Sequence, residues 1–514
     1  MRGGADPRPH GSMPSIGSSA IVLRNGLVDV GGGEFRRTDI VVEAGRIRSV
    51  GDGAALAGAE TIDCGRFAVV PGIVNAHSHS NENFFRGRWD NLPLEPWMLF
   101  SYPPLFAPGL TSREIYVRTL LGGLEMLRSG ATCVVDFLYE LAGFTEESLG
   151  AVVKAYRDLG MRALVALGMS DRSFHETVVL DLGLVPLDLL EAIDEPPPSW
   201  SEWEAFTRKA VQLFHRPDEG IAIGIAPSGP QRCTDEMLAG SAALADELDL
   251  IIHIHVLETR MQALSGHRMY GKTLVEHLDE IGFLGPRVNF EHCIWLTDHD
   301  IELVAGSGTG AVHNPIANMK VGSGISPIPL LLKAGINVAL GADSMSANDD
   351  ADMYSVVKLA GLHHKVWEID YAEWLGAKEA WHMGTAGGAQ AAGDRGGLGM
   401  IEAGRRADLV LLDLESRVFT PLNNPLHHVV FCSTTQAVDS TMVGGRWVLR
   451  HGEITTVDEQ ALLAEGRDIG PAVVERYGEG FALGARLQES VRRGWLEALR
   501  TGVGVNRSMP LERR

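Results

Sequence analysis

Between residues 71 and 397, short apolar runs of strand character alternate with helical stretches. The runs are Val70–Ala76, Cys133–Asp136, Ala163–Leu167, Ile221–Ile225, Leu250–His255, Val288–Phe290, Gly310–Val312 and Val338–Gly341. Parallel neighbours in a sheet need a crossover between them, so eight runs separated by helices predict a closed parallel (β/α)8 barrel. In such a barrel the reactive groups collect at the carboxyl ends of the strands. The first run stops at His77 and His79, the fifth at His255 followed by Glu258, the sixth at His292, the seventh at His313 and Asn314, and the eighth at Asp343. A single buried histidine is commonly satisfied by a backbone carbonyl. Six His or Asp side chains at five strand ends instead point to a shared metal site.

His77 and His79 carry the clearest geometric constraint. Strand side chains repeat every second residue, so the two imidazoles share a side about 6–7 Å apart and can grip one ion. His253 and His255 have the same spacing, and the residues alone leave both open as ligands.

Around this barrel the chain divides further. Residues 18–70 and 398–455 hold short alternating runs broken by Gly-containing turns, among them Ala20–Leu23, Asp39–Val42, Asp408–Leu412 and Ser440–Leu449. They are expected to form a small antiparallel sheet, part of a β-sandwich domain built from both ends of the chain. Residues 456–514 read as a helical extension ending in a polar tail with Arg507, Arg513 and Arg514, expected to be mobile, and residues 1–17 as a disordered segment. The stretch from Met169 to Trp203 is long for a barrel loop and is expected to act as a lid, with His175 a site candidate.

Charge and cysteine usage narrow the partners. A formal net charge of -21 over 514 residues argues against nucleic acid or an anionic membrane surface and leaves a small molecule. The five cysteines have no CxxC spacing, which suggests neither a disulfide framework nor a thiolate zinc site and fits a cytoplasmic protein. No apolar stretch approaches the roughly 20 residues that span a bilayer.

The motifs Pro71–His79, Phe84-Phe85-Arg86-Gly87, Ser129–Asp136, His255-Val256-Leu257-Glu258-Thr259, Glu291-His292-Cys293, His313–Lys320 and Gly341-Ala342-Asp343 resemble the amidohydrolase superfamily. Within it they are similar to the branch holding S-adenosylhomocysteine and methylthioadenosine deaminases, guanine deaminase and the triazine chlorohydrolases. The resemblance runs over roughly residues 20–455. It implies one divalent metal ion, zinc or ferrous iron, held by His77, His79, His255 and Asp343, with His292 beside the ion's water or counted as a fifth ligand. His255 is preferred to His253 because Glu258 completes the family's His-x-x-Glu. Two-metal relatives bridge their ions with a modified lysine on the fourth strand, and Ile221–Pro227 contains no lysine.

The chemistry then expected is hydrolysis of a C–N bond in a cyclic amidine or heteroaromatic ring by metal-activated hydroxide. A divalent ion lowers the pKa of bound water from 15.7 to about 7. Asp343 is expected to take the water's proton and Glu258 to protonate a ring nitrogen. Taken alone, Glu258 also reads as a carboxylate that favours a helix dipole. His313 is a candidate for contacting the substrate, with bracing of its loop as the alternative. Asn91–Trp97 resembles the family's substrate loop and makes Trp97 a candidate, but the acid that binds ribose hydroxyls in the nucleoside deaminases is missing from Ser101-Tyr102-Pro103-Pro104-Leu105. Their Ala-Pro-His is replaced by Ala226-Pro227-Ser228-Gly229-Pro230-Gln231-Arg232. Both changes argue against adenosine-type substrates, and Gln231 and Arg232 are candidates for reading a carbonyl or carboxylate. Glu82, between Asn81 and Asn83, is a candidate for the pocket mouth, and Arg86 reads as bracing the rim. Amide hydrolysis or dehalogenation of a triazine-like ring stays open, as does a homo-oligomer, dimer or tetramer.

Overall fold

The computed structural model describes residues 20–508 apart from 52–55, 196, 368, 395 and 433. The expected disorder of residues 1–17 and the mobility of Arg513 and Arg514 fall outside the described residues.

Eight strands form one parallel sheet in chain order: Ile73–Ser78, Ala131–Leu138, Arg162–Met169, Ile221–Pro227, Ile252–Val256, Val288–His292, Gly310–His313 and Val338–Leu340. The ring is drawn shut where Ser78 bridges Asp343 and the Asp343 N–H donates to the His77 carbonyl at 2.9 Å. The strands are buried on both faces, as parallel strands ringed by helices must be. Ala76, Val312 and Ala339 help fill the lumen, so the barrel is a packed core rather than a pore.

The apolar run expected as a single strand from Val70 divides at Gly72. Phe67–Pro71 belongs to a second sheet and Ile73–Ser78 to the barrel. Pro71 has no N–H to continue a ladder, and a Cβ on Gly72 would lie 2.2 Å from Thr132 Oγ1. The chain therefore changes sheet at the one residue small enough to pass.

The second sheet has nine strands drawn from both ends of the chain, and it is mixed rather than antiparallel. Ile21–Asp29 runs parallel to Glu60–Asp63 at its start and to Phe67–Pro71 at its end, with an irregularity between Leu23 and Gly26 that lets one strand serve two neighbours. Leu409–Asp413 joins the two halves by pairing antiparallel with Phe67–Pro71. The Ser440–Leu449 run is a hairpin, Val438–Val443 and Arg446–Arg450, turned by Gly444 and Gly445 at φ 54° and 76°.

Beyond the sheets, Glu459–Arg476 and Gly478–Arg500 form two long helices. The second packs on the helix Leu94–Ser101 and on the segment after the third barrel strand, through Leu99, Val185, Leu189, Ile193, Leu487 and Val491. That segment is thus a packed buttress of short helical turns, not a free lid. Arg507 is also anchored: its guanidinium donates to the Leu296 carbonyl at 2.7 Å, and its own carbonyl accepts from Ile325. None of the five cysteines is disulfide-bonded. Among the described residues no helix is long and apolar enough to cross a membrane.

Candidate metal centre and active site

At the carboxyl end of the barrel, His77, His79, His255, His292 and Asp343 converge. The donor atoms of His77, His255 and His292 all lie within 4.8 Å of one another, and so do those of His77, His79 and Asp343. Asp343 Oδ1 is 3.4 Å from His79 Nε2 and 3.7 Å from His77 Nε2. Backbone acceptors set the tautomers. His79 Nδ1 donates to the Phe137 carbonyl at 2.7 Å, and His255 Nδ1 to the Ser228 carbonyl at 2.9 Å. Each Nε2 is then a lone pair aimed inward, which is what a divalent ion requires. His77 is fully buried with neither ring nitrogen hydrogen-bonded. Burial holds all four imidazoles below their ordinary pKa, His79 at about 3, so they are neutral donors at pH 7. An orphaned imidazole among neutral nitrogens and one carboxylate fits a zinc-type ion.

The backbone is bent to achieve this. Adjacent strand residues face opposite sides, yet Glu291 and His292 both turn inward, and His292 sits at φ 72°. Asp343 at φ 64° and Leu257 at φ 52° share that left-handed region, which costs a non-glycine residue of order 1–3 kcal/mol. His292 Nδ1 lies 2.8 Å from Asn318 Oδ1, which directs Nε2 toward Glu258 Oε2 at 3.7 Å.

His253 does not join the cluster. Its Nε2 donates to the Ala391 carbonyl at 3.1 Å, so its Nδ1 accepts, at 2.6 Å, from Glu291 Oε1. Burial raises the Glu291 pKa well above the carboxylate range, so that proton is available. Glu291 Oε2 faces His77 Nδ1 at 3.3 Å. Sequence reasoning gave Glu291 no role; its signal was its place beside His292 at a strand end.

Above the imidazoles a narrow cavity is walled by Leu94, Trp97, Met98, Val321 and Ala347 and edged by Tyr102, Tyr139, Arg232, Glu258, His292 and Asp343. Trp97 is fixed by its Nε1–H to the Ser346 carbonyl, 3.3 Å. Glu258 precedes the helix Arg260–Tyr270, capped by Thr259, so it is free of the helix itself. Burial, with Glu95 nearby, pushes Glu258 up to about 8, so the carboxyl holds a proton at neutral pH. Burial lifts Asp343 to about 6.

Three expected substrate contacts lie elsewhere. Glu82 is sealed behind Tyr102, whose hydroxyl donates to it, and it also accepts from Ser346. Gln231 is buried beneath the loop with its amide against Gly229 and does not edge the cavity. His313 stacks on His363 at 4.8 Å, outside the lumen, because its register partner is the outward-facing Leu340. His175 bonds Ser173 and Asp194, remote from the cluster. Arg86 braces the rim by donating to the Asp349 carbonyl, as expected. Asn81 and Asn83 bond backbone at Tyr139 and Arg118 rather than lining a mouth.

Residues 68–448 match the amidohydrolase family. The chain belongs to that family. This amidohydrolase is 34% identical over 447 residues to a 5'-deoxyadenosine deaminase of Methanothermobacter thermautotrophicus, covering 87% of this chain and 96% of the relative. It is 33% identical over 470 residues to a 5-methylthioadenosine/S-adenosylhomocysteine deaminase of Syntrophobacter fumaroxidans, covering 89% and 100%. A zinc-bound adenosine deaminase from Xanthomonas campestris superposes with a TM-score of 0.77 at 28% identity, covering 88% of this chain and 98% of that one. A zinc-bound atrazine chlorohydrolase from Arthrobacter aurescens shares the fold, with a TM-score of 0.79 at 22% identity, covering 88% and 100%. The amidohydrolase is therefore a metal-dependent hydrolase of carbon–nitrogen bonds other than peptide bonds.

Proposed function

We propose that this amidohydrolase is an aminohydrolase, releasing ammonia from the amidine carbon of a heteroaromatic ring, with one ion, zinc first, held by His77, His79, His255 and Asp343. The observation that carries the reading is the meeting, in one cavity, of a buried carboxyl group that holds its proton, Glu258, with the imidazole and Asp343 cluster. When bound, the ion supplies Lewis-acid activation of a water molecule. The Asp343 carboxylate takes the proton that water loses. Glu258 donates its own proton to the ring nitrogen beside the attacked carbon, which makes that carbon electron-poor; Asp343 then hands the water's proton to the departing amine, and Glu258 takes one back from the adduct's hydroxyl as the carbonyl forms. His292 Nε2, steered by Asn318, is placed to hydrogen-bond the attacking oxygen. The flat, mostly apolar wall of Leu94, Trp97 and Val321 suits a planar ring.

The named activities of the deaminase relatives support an adenine-type ring, and the absence of a lysine on Ile221–Pro227 supports a single ion. The test is ammonia release from a panel of aminated purines, pyrimidines, pterins and triazines by zinc-loaded protein, with mass spectrometry of the products. An amine replaced by oxygen, lost in Asp343→Asn, upholds the reading. Ring opening, chain cleavage or chloride release in its place overturns it.

A further inference from the structure

Arg232, at the edge of the cavity, is a cation that forms no ion pair among the described residues. Arg232 Nη1 donates to Ser228 Oγ at 3.1 Å, Nη2 lies 2.8 Å from the Met98 sulfur, and the buried Nε has no hydrogen-bond partner. Arg118 and Arg162, buried elsewhere, are each matched, by Glu140 at 2.6 Å and Asp408 at 2.9 Å. Two acids face Arg232 without pairing to it: Glu95 accepts from Thr259 through Oε1 and leaves its buried Oε2 without a hydrogen-bond partner, and Glu258 accepts from Ser323 at 3.5 Å.

A guanidinium offers five N–H donors, and a thioether is a weak acceptor. Leaving a half-buried guanidinium so poorly matched costs free energy, and such a site is completed by whatever group enters it. The planar fork matches a carboxylate bidentately. Arg232 is the only arginine or lysine edging this cavity among the described residues, and the histidines there are neutral, which suits a singly charged group better than a phosphate. The acid that would read sugar hydroxyls is missing from Ser101–Leu105, and Glu82 is already bonded to Tyr102 and Ser346.

We propose that Arg232 receives a carboxylate carried by the substrate, so that the compounds acted on are small aminated heteroaromatic acids rather than uncharged nucleosides. The assignment rests on the aminohydrolase reading for the ring and on Arg232 alone for the acid.

Calorimetric binding of an aminopyrimidine carboxylate and of the matching aminopyrimidine carboxamide to the zinc-loaded full chain tests it. The acid is expected to bind about 10- to 100-fold tighter, the range of one charge-assisted pair. That preference disappears in Arg232→Gln and is partly kept in Arg232→Lys, with zinc content per chain unchanged in both as the check on folding. Wild-type protein with no preference, because both compounds bind alike or neither binds, overturns the proposal. So does a preference that survives in Arg232→Gln, which would place the carboxylate on the ion. Inorganic phosphate displacing the acid more strongly than benzoate does overturns the carboxylate as the class. Ammonia is measured in the same samples. Acid preference without ammonia sinks the aminohydrolase reading alone, and equal ammonia from acid and carboxamide sinks this one alone.

Discussion

Glu291 is the residue whose placement has the widest reach within the site. One oxygen hydrogen-bonds His253 and the other faces His77, so a single buried carboxyl group orients one imidazole of the cluster and anchors another below it. Partners of this kind typically change metal affinity by about 10- to 100-fold. Glu291→Ala is expected to weaken zinc binding by about that factor, read by chelator competition. Glu258→Gln is expected to keep zinc and lose about 10²–10⁴ in kcat, as removal of a general acid does; unchanged turnover would remove Glu258 from the chemistry. The residues that were legible in the sequence are those whose side chains had to point inward once the barrel was assumed: His77 and His79 by their spacing and Asp343 by its strand end, with His255 separated from His253 only by the family's His-x-x-Glu. His313 also ends a strand, but its row faces the helices, and which row faces inward is settled by register, not by position along the chain. Glu82 and Gln231 follow turns whose direction local sequence does not encode.

At the scale of elements, the helix Gly478–Arg500 holds the pocket helix Leu94–Ser101 by packing Leu487 near Leu99 and bringing Gly484 against the backbone there. A Cβ on Gly484 would lie 2.3 Å from the Leu99 carbonyl oxygen. Gly484→Ala is expected to destabilise the protein by about 1–3 kcal/mol, the usual cost of overpacking. It should also raise KM more than it lowers kcat, since Trp97 and Met98 ride on the displaced helix and Asp343 and Glu258 do not. A second element-scale test is Arg118→Met on the helix Ser112–Arg128. Removing the guanidinium strands Glu140, and breaking a buried pair from one side costs about 3–5 kcal/mol, to be read by urea unfolding. The existence of the C-terminal helices was plain from their apolar periodicity, but the surface on which they dock was not, because a glycine stripe carries no hydrophobic signal. The split at Gly72 was hidden for a related reason: the apolar run continues across it, and only the approach of Thr132 reveals the corner.

For the molecule as a whole, the seam between the eighth and first barrel strands is its thinnest join, held by the Ser78–Asp343 bridge and the Asp343 N–H to His77. The proposed donors lie on both sides of it, His77 and His79 on one stave and Asp343 just past the other, with His255 across the ring. Removing zinc is therefore expected to lower the thermal midpoint as well as abolish turnover, because an ion that binds only the folded chain adds its binding free energy to stability, about 4 kcal/mol at a thousandfold excess over Kd. The loss should be uneven: amide hydrogens of Asp343 and its neighbours should exchange sooner in the stripped protein, while those of the third and fourth strands keep their protection. In that event the cation is a hoop as well as a reagent, and the cask that carries the chemistry is tightened by the same nail that performs it.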